Sequence, residues 1–479
     1  MCKYAVVLWS DLNSTRLPAQ PPTRPMKVAF IHPDLGIGGA ERLVIDACVE
    51  FMDAGHEVVM YTGYHDVARC FEETRNTDGT RAPWIRVHGA MIPRSIFGYF
   101  HALMANLSCL YCALVLLRNE TNVHCVIVDQ VSSPNALIRG FTNIAVLFYC
   151  HFPDMLLATA TTKRASRLRA AYRAPLNFLE QITTGMAHKV VVNSKFTEDI
   201  FAKTFKMLYR LGIHPAVVYP AAALDTFFSQ TEFDASTSDV VTFLSINRFE
   251  KKKNLALALR AYALYLQEKK PGVRTRLVLA GGYDKRLAEN VSYFSFLKKE
   301  ASAIPLSNND SIVFAPSVTS LEKKKLLNTC ALVLYTPPGE HFGIVPIEAM
   351  AACKPVIACD TGGPKESIVH GVTGLLCAPD PKEWAGAMLH ITHDLSVARR
   401  MGTLARQHVE WKFSRRKFGE KMMAAAGDAL VEAARVNRKR NQSVVSCLNF
   451  ALFAAFVFVN AKAYSFALAM LRRVDAAVR

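Results

Sequence analysis

The sequence predicts an α/β protein of two successive parallel-sheet domains, followed by a hydrophobic C-terminal segment. Short apolar runs typical of buried strands alternate with helix-forming segments through most of the chain. A polar, Ser/Thr-rich stretch before Asp239 interrupts this alternation once. With 479 residues, the chain is long enough for two domains of ordinary size.

Composition narrows the class of protein. A hydrophobic content of 51% excludes a disordered chain, and a net charge of +17 indicates acidic partners such as anionic headgroups, phosphorylated substrates or nucleic acid. Because no nucleic-acid-binding motif accompanies the basic residues, we expect no nucleic-acid partner. The 12 cysteines lie within apolar runs, as is typical of buried thiols in a reducing compartment.

We expect five segments along the chain. The N-terminal extension, 1–25, is proline-rich and has too short an apolar run for a secretory signal, so we expect the chain to begin on the cytosolic side. The other segments are a first parallel-sheet domain at 26–222, a second at 223–411, C-terminal helices with a basic linker at 412–440, and a hydrophobic tail at 441–479.

The first domain opens with a predicted βαβ unit. A strand at Met26–Ile31 is followed by a glycine loop that contains Gly38 and Gly39 and leads into a helix, and a second strand follows at His56–Tyr61. A dinucleotide-binding loop needs glycine where this loop has Glu41, so the sequence disfavours NAD. The two glycines can still bring backbone amides close to a phosphate.

Ile96–Leu117 is the longest apolar run within this domain. A helix on the membrane surface and a helix in the core both remain open for it. The C-x-x-C pair inside it, Cys109 and Cys112, has no second pair at metal-ligand spacing, so we interpret it as packing.

The strand at Ala145–Cys150 ends in His151 and Asp154. Polar residues at the carboxyl end of a parallel strand are placed where α/β folds bind ligands, so we expect His151 to be functional rather than structural. A cationic helix follows, and a phosphate or lipid-headgroup site and an ordinary solvated face both remain open for its residues Lys163, Arg164, Arg167 and Arg173.

The second domain begins with the strand Val241–Ile246, which is followed by Arg248 and three consecutive lysines. Three lysines alone are usually a solvated surface. Their position between a strand and a helix instead predicts that Arg248 and Lys253 bind a diphosphate.

The most informative stretch is a strand, Ala331–Tyr335, followed by a Pro-Pro-Gly breaker and a predicted helix start. Glu340 lies in the loop and Glu348 just inside the helix. Unpaired backbone amides at the Phe342–Gly343 turn suit an anionic or hydroxyl-rich ligand. The alternative for Glu348 is a first-turn charge that complements the helix dipole.

The C-terminal segment carries two apolar stretches. Basic residues from Arg435 to Arg440 precede the uncharged run Val444–Val459, and a second apolar stretch follows Lys462. A membrane span fits the positive-inside rule, although the run is shorter than the usual ~20 residues. An interfacial or re-entrant helix is the alternative.

Together these motifs resemble family 4 of the retaining GT-B glycosyltransferases and, within it, the dolichol-pathway mannosyltransferases. The resemblance extends from Lys27 to Ala425 and rests on HPDLGIGGAERLVIDA, FYCHFPDMLLA, YRAPLNFLEQITTGMAHKVVVNSKFT, FLSINRFEKKKNLALALRAY, LAGGYDKRLAENV and LYTPPGEHFGIVPIEAM. It implies two Rossmann-like domains facing a cleft, GDP-mannose as donor without a further cofactor or metal, and Man(1)GlcNAc(2)-PP-dolichol as acceptor. It also implies the endoplasmic reticulum membrane, with the catalytic domains on its cytosolic face, and other mannosyltransferases of the pathway as partners.

The resemblance further implies the roles of individual residues. Glu340 would lie by the reacting sugar and Glu348 would bind the ribose, while the amides of Phe342, Gly343 and Ile344 would hold the donor. Arg248 and Lys253 would stabilise the departing β-phosphate, and His151 would contact the sugar or the leaving group. Lys251 and His341 match family positions, Gly38 and Gly39 would lie near the diphosphate, and the acceptor or its lipid would meet Asp154, Lys163, Arg164, Arg167 and Arg173.

Three other functions remain open. Another family 4 transferase, such as one acting on phosphatidylinositol, would share Glu340 but not the HFPD and YRAP segments. A non-catalytic scaffold with the same fold would have lost Glu340, Glu348 or Lys253. A soluble sugar-nucleotide enzyme would lack the apolar tail.

Overall fold

The computed structural model describes residues 24–96, 100–156, 163–222 and 240–440, with the backbone alone at 163–169, 171 and 439–440. Most of the expected N-terminal extension and the whole hydrophobic tail lie outside these residues. The chain forms two compact units. Within the described ranges, unit 1 holds residues up to Asn193, 197–218 and 418–440, and unit 2 holds 194–196 and 219–417.

Unit 1 contains a parallel sheet of seven strands in the order β3-β2-β1-β4-β5-β6-β7. Nearly continuous Val, Ile, Leu and Phe runs make these strands, as expected for a sheet covered on both faces. Their bounds are β1 Lys27–His32, β2 Glu57–Thr62, β3 Ile85–Val87, β4 Cys125–Asp129, β5 Ala145–Cys150, β6 Lys189–Val192 and β7 Ala216–Val217.

Helices connect the strands of unit 1. They are α1 Gly39–Asp53, α2 His101–Asn119, α3 Ser133–Phe141, α4 Lys163–Gly185, α5 Lys195–Thr204 and α6 Lys206–Arg210. Helix α2, which corresponds to the long apolar run, is long and apolar enough to cross a membrane by length and composition. One face of α2 packs into the core through Cys109, Cys112 and Leu116, whereas Leu114 on another face is exposed. A role for that exposed face at a membrane stays a prediction.

The last described helix, α14 Arg415–Arg440, belongs to unit 1 from Phe418 onward. The predicted C-terminal helices are therefore divided between the two units. A side chain on Gly419 would collide with Glu50 of α1, so the helix backbone lies close to that residue. Asp428 pairs with Lys189 at 3.0 Å, and the Asn437 amide donates to the carbonyl of Asn143.

Unit 2 contains a parallel sheet of six strands in the order β10-β9-β8-β11-β12-β13. The strands are β8 Val240–Ile246, β9 Arg274–Gly281, β10 Asp310–Pro316, β11 Leu332–Tyr335, β12 Val356–Cys359 and β13 Gly374–Cys377. The helices are α7 Leu255–Glu268, α8 Ala288–Ser302, α9 Ser320–Thr329, α10 Ile344–Ala351, α11 Pro364–Ser367, α12 Pro381–Thr392 and α13 Leu395–Lys412. Trp384, Tyr262 and Phe243 are among the largest side chains of its core.

Each sheet has one point where the strand order reverses. In unit 1 this point lies between β1 and β4, and in unit 2 it lies between β8 and β11. The loops that leave two such neighbouring strands diverge to opposite faces of the sheet, which opens a crevice at their carboxyl ends. The candidate site residues follow these strands in both units.

Candidate active site

The loops after β8 and β11 meet at the reversal point of unit 2. After β8 the chain forms a short 3₁₀ turn, Lys251–Lys253, which ends at Asn254 in the left-handed conformation with φ of 48°. The Thr336 hydroxyl, just after β11, donates a hydrogen bond to the carbonyl oxygen of Lys253 at 2.7 Å. This bond ties the two loops together and fixes the backbone from which Lys253 extends.

The side chain of Lys253 pairs with that of Glu340. The ammonium group contacts Glu340 Oε2, and the two side chains are only 12% and 23% exposed. Burial alone would raise the pKa of Glu340, but the charge of Lys253 and its hydrogen bond lower that pKa below its ordinary value. Glu340 is therefore ionised at neutral pH and paired with a cation.

Tyr335, the last residue of β11, forms a side-chain hydrogen bond with Glu340. Burial and the adjacent Glu340 carboxylate raise the pKa of Tyr335 well above its ordinary value, so the phenol stays protonated. Gly343 approaches the same ring, because a Cβ on Gly343 would lie 3.0 Å from it. Tyr335 was not among the residues predicted from the sequence, although its position at the end of the strand gave a signal.

Glycines shape the loop between Glu340 and the start of α10. Gly343 precedes the helix with φ of 84°, a left-handed conformation that favours glycine. Gly363 packs against the loop so closely that a Cβ would lie 2.3 Å from the backbone of Phe342. The amide of Gly363 donates to the carbonyl of Glu340 at 2.8 Å, so the backbone at the start of α10, where Ile344 is the first residue, is held in place.

Glu348 lies in α10 with its two carboxylate oxygens in different surroundings. Oε1 accepts a bond of 2.6 Å from Lys323 of α9, a residue that sequence reasoning missed. Oε2 is buried and has no hydrogen-bond partner among the described residues. A buried carboxylate oxygen without a partner is costly, which favours a ligand hydroxyl group as its missing donor.

Two cations predicted for this site, Arg248 and Lys251, lie at its periphery. Arg248 is 61% exposed at its side chain and pairs with Glu250 at 3.0 Å. Lys251 is exposed, and its backbone amide donates to Glu289. His341 is half-buried, and its charge helps to lower the pKa of Glu340. The structure therefore brings Lys253 and Glu340 into contact and leaves Arg248 at the surface.

The glycine loop of unit 1, which was predicted to approach a phosphate, contains a carboxylate. A Cβ on Gly38 would lie 2.2 Å from a carboxylate oxygen of Glu41, whereas nothing lies within 4 Å of the corresponding position on Gly39. The Glu41 carboxylate thus occupies the space beside Gly38. Its negative charge opposes the predicted approach of a diphosphate there.

His151 follows β5 and joins a cluster at the reversal point of unit 1. Its Nε2 lies 2.8 Å from Asp129 Oδ1, and His32 Nδ1 lies 2.7 Å from the other oxygen of the same carboxylate. Asp129 and His32 are the last residues of neighbouring strands β4 and β1. Neither was predicted as a site residue.

The predicted acceptor residues Asp154 and Arg173 bind each other. Arg173 Nη2 pairs with Asp154 Oδ2 at 2.8 Å, and Arg173 is 7% exposed. The Glu180 carboxylate accepts bonds from the amides of Asp154 and Met155. Burial and the charge of Asp154 raise the pKa of Glu180 to about 7. Arg173 therefore anchors a loop, while the side chains of Lys163, Arg164 and Arg167 lie outside the described residues.

Several solved structures share this fold. A glycosyltransferase from Rickettsia africae has a TM-score of 0.62 at 17% identity and covers 85% of this chain and 99% of its own. The catalytic domain of starch synthase IV from Arabidopsis thaliana, bound to ADP and acarbose, has a TM-score of 0.63 at 12% identity and covers 85% of this chain and 100% of its own. Sucrose-phosphate synthase from Thermosynechococcus elongatus has a TM-score of 0.61 at 18% identity, with 90% and 100% covered. Identities this low show the fold alone.

The sequence itself matches two glycosyltransferase families. Residues 37–263 match Glycosyltransferase Family 4, and residues 229–408 match Glycosyl transferases group 1. The two parallel-sheet units and these matches define an enzyme of the GT-B class of glycosyltransferases.

Its curated relatives narrow this class. The chain is 41% identical to "Alpha-1,3/1,6-mannosyltransferase ALG2" of Rhizomucor pusillus, with 84% of this chain and 91% of that protein covered. The protein of the same name from Homo sapiens is 40% identical, with 82% and 94% covered. The chain belongs to the ALG2 family of α-1,3/1,6-mannosyltransferases.

Proposed function

We propose that this enzyme transfers mannose from GDP-mannose to Man(1)GlcNAc(2)-PP-dolichol, forming an α-1,3 and then an α-1,6 linkage with net retention. The curated relatives are named for these two linkages. The observation that carries the proposed site is the paired Lys253 and Glu340 at the reversal point of unit 2.

Unit 2 is the proposed donor-binding unit. Lys253 supplies a fixed cation for the departing β-phosphate, and Glu340, placed by Lys253 and Tyr335, lies beside the reacting sugar. The unpartnered oxygen of Glu348 accepts from a ribose hydroxyl. Amides of Phe342, Gly343 and Ile344 at the start of α10 hold mannose hydroxyls.

The chemistry proceeds on one face of the sugar. The bond from the anomeric carbon to the GDP oxygen breaks, and a bond from the acceptor oxygen forms on the same side. The acceptor hydroxyl proton passes to an oxygen of the leaving phosphate. The protein contributes positioning and charge stabilisation, for which Lys253 is the principal group.

The acceptor and the location follow from charge and family membership. The net charge of +17 favours a diphosphate lipid in an anionic membrane. We assign the acceptor to unit 1, and the enzyme to the endoplasmic reticulum membrane with both units in the cytosol, where other mannosyltransferases of the pathway can act next. Glycan attached to Asn106 or Asn290, both in N-x-S/T sequences, would contradict this orientation.

The test is a transfer assay with the full chain in detergent. A synthetic lipid-linked Man(1)GlcNAc(2) diphosphate is incubated with GDP-mannose or UDP-glucose, and products are followed by mass. We expect a gain of two hexoses from GDP-mannose, none from UDP-glucose, and none with Glu340→Ala. Absence of transfer by folded wild-type protein would overturn the proposal.

A further inference from the structure

One buried carboxylate in unit 1 is shared by two imidazoles. Asp129 is 1% exposed, and its oxygens lie 2.7 Å from His32 Nδ1 and 2.8 Å from His151 Nε2. His32 is fully buried, whereas the His151 side chain is partly exposed. The three residues end or follow the adjacent strands β1, β4 and β5, so the sheet itself sets their spacing.

The hydrogen-bond chemistry determines which nitrogen of His151 carries a proton. Burial would raise the pKa of Asp129, but the charges and hydrogen bonds of the two imidazoles lower it, so the carboxylate is ionised. An ionised carboxylate only accepts hydrogen bonds, and each ring must therefore direct an N–H at it. For His151 this nitrogen is Nε2, which leaves Nδ1 available; Nδ1 makes no hydrogen bond within the described part of the chain.

His32 is fully buried, so we assign it an indirect part. Its Nε2 is buried and has no hydrogen-bond partner among the described residues. Burial opposes charging of this ring, yet the hydrogen bond and charge of Asp129 raise the pKa of His32 above its ordinary value. The other charged or titratable groups that act on His32 or Asp129 are Asp34, Glu41, Cys48, Cys109, Tyr149 and Cys150.

We infer that Asp129 and His32 are positioning residues for His151. The shared carboxylate holds the His151 ring in one orientation as the Nε2–H tautomer and leaves Nδ1 for the ligand. His32 occupies the second oxygen and stops the carboxylate from turning away. That the ligand is the transferred mannose or the leaving diphosphate rests on the proposed function; the tautomer does not.

The experiment combines a spectroscopic and a kinetic measurement on the full chain in detergent. ¹⁵N-histidine labelling distinguishes protonated from unprotonated ring nitrogens, and the His151 signals are identified by their loss in His151→Gln. In Asp129→Asn one acceptor oxygen is replaced by an NH2 donor, so only one of the two rings can keep an N–H directed at residue 129. We therefore expect either the His151 ring or the His32 ring to change tautomer. We also expect kcat to fall about 10²-fold, with KM for GDP-mannose changed less than roughly threefold.

A matched pair at His32 covers the case in which Asp129→Asn does not fold. The side-chain nitrogen of His32→Asn takes roughly the place of Nδ1 and can still donate, whereas His32→Phe cannot. We expect His32→Asn to stay within about fivefold of wild-type kcat and His32→Phe to lose about 10²-fold.

Unchanged tautomers of both His151 and His32 in folded Asp129→Asn overturn the inference. Equal kcat values for the two His32 variants also overturn it. If wild-type protein transfers no mannose but its His151 tautomer depends on Asp129, the proposed function fails and the positioning of His151 stands.

Discussion

Replacing Lys253 with methionine tests the proposed donor site most directly. Methionine keeps most of the apolar stem and removes the ammonium group. The change leaves the Glu340 carboxylate, 23% exposed at its side chain, without its cation. It also removes the charge proposed to stabilise the departing phosphate.

The expected loss of stability follows from the partial burial of the pair, and the expected loss of kcat follows from its proposed role in the transition state. Breaking a fully buried ion pair costs about 3–5 kcal/mol, whereas exposed pairs contribute less than about 1 kcal/mol. Lys253 and Glu340 lie between these limits, so we expect a loss of about 2 kcal/mol in the free energy of unfolding. For a unit of this size, that corresponds to a melting temperature lower by roughly 4–8 °C. Loss of one preorganised group that stabilises the transition state lowers kcat about 10²- to 10³-fold.

Lys252→Met is the matched control. Lys252 lies in the same turn, but its side chain is 66% exposed and pairs with Glu250. Mannosyl transfer and thermal unfolding are measured for both variants, and we expect Lys252→Met to stay within about threefold of wild type. Near-wild-type activity of Lys253→Met, or equal losses in the two variants, would refute the assigned role.

The pair also has a signature in the pH dependence of stability. The folded pKa of Glu340 is below its ordinary value, so its contribution to stability is complete above the unfolded pKa and is lost as pH falls through the folded pKa. Lys253→Met raises the folded pKa, and acid unfolding should therefore begin at a higher pH. Thermal melts from pH 3 to 7 measure this difference.

Three further predictions concern other residues. Lys323→Met, which removes the 2.6 Å bond to Glu348, should raise KM for GDP-mannose about tenfold with kcat little changed, as measured in initial-rate assays. Gly343→Ala should lower the melting temperature more than Gly339→Ala. Both glycines have a positive φ, at which alanine costs about 1–2 kcal/mol. A Cβ at Gly343 would in addition lie against the Tyr335 ring, whereas nothing lies within 4 Å of one at Gly339. The pKa of Glu180 in the folded state, about 7, exceeds its value in the unfolded state. The free energy of unfolding of the wild-type protein should therefore fall as pH rises from about 4.5 to 7. Thermal melts across that range should show that Glu180→Gln loses this slope.

Each of these three predictions has an outcome that would contradict it. An unchanged KM in Lys323→Met would show that Glu348 needs no support, and Lys325→Met, at an exposed position of the same helix, is the control. Equal melting temperatures of the two glycine variants would mean that the loop shifts away from the ring. The same pH slope in Glu180→Gln as in wild type would assign that slope to other groups.

Sequence patterns were enough to predict most strands and the loops after them. The apolar run Met26–Ile31 and β1 differ by one residue at each end, and Glu340 and Glu348 lie where the strand, breaker and helix start place them. These features depend on apolar periodicity and on glycine and proline at turns. Both signals can be recognised within a few consecutive residues.

Contacts between distant segments were harder to predict. Lys253 and Glu340 are separated by 87 positions, and they meet only because β8 and β11 are neighbours across a crossover. His32 and Asp129, 97 positions apart, meet for the same reason. Strand order is not encoded locally, although strand-end reasoning of the kind used for His151 also points to Asp129.

The surroundings of Arg173 were also not predictable from its local sequence. Its sequence context is a cationic helix, which predicts a solvated or ligand-binding face. The structure instead buries the side chain against Asp154, because the loop that carries this aspartate folds back onto α4. A charge pattern alone does not distinguish a free cation from one already paired.

The return of α14 to unit 1 has a consequence for synthesis on the ribosome. Unit 1 reaches Val218, yet its last helix enters it only from Phe418, roughly 200 residues later. The helix buries Met422, Ala426 and Ala429 in the folded protein. At typical translation rates of about 5–20 residues per second, the surface of unit 1 that these side chains cover waits ~10–40 s for α14. A nascent unit 1 therefore presents a binding surface to chaperones during this interval, and fragments that end before Phe418 should be poorly soluble when expressed alone.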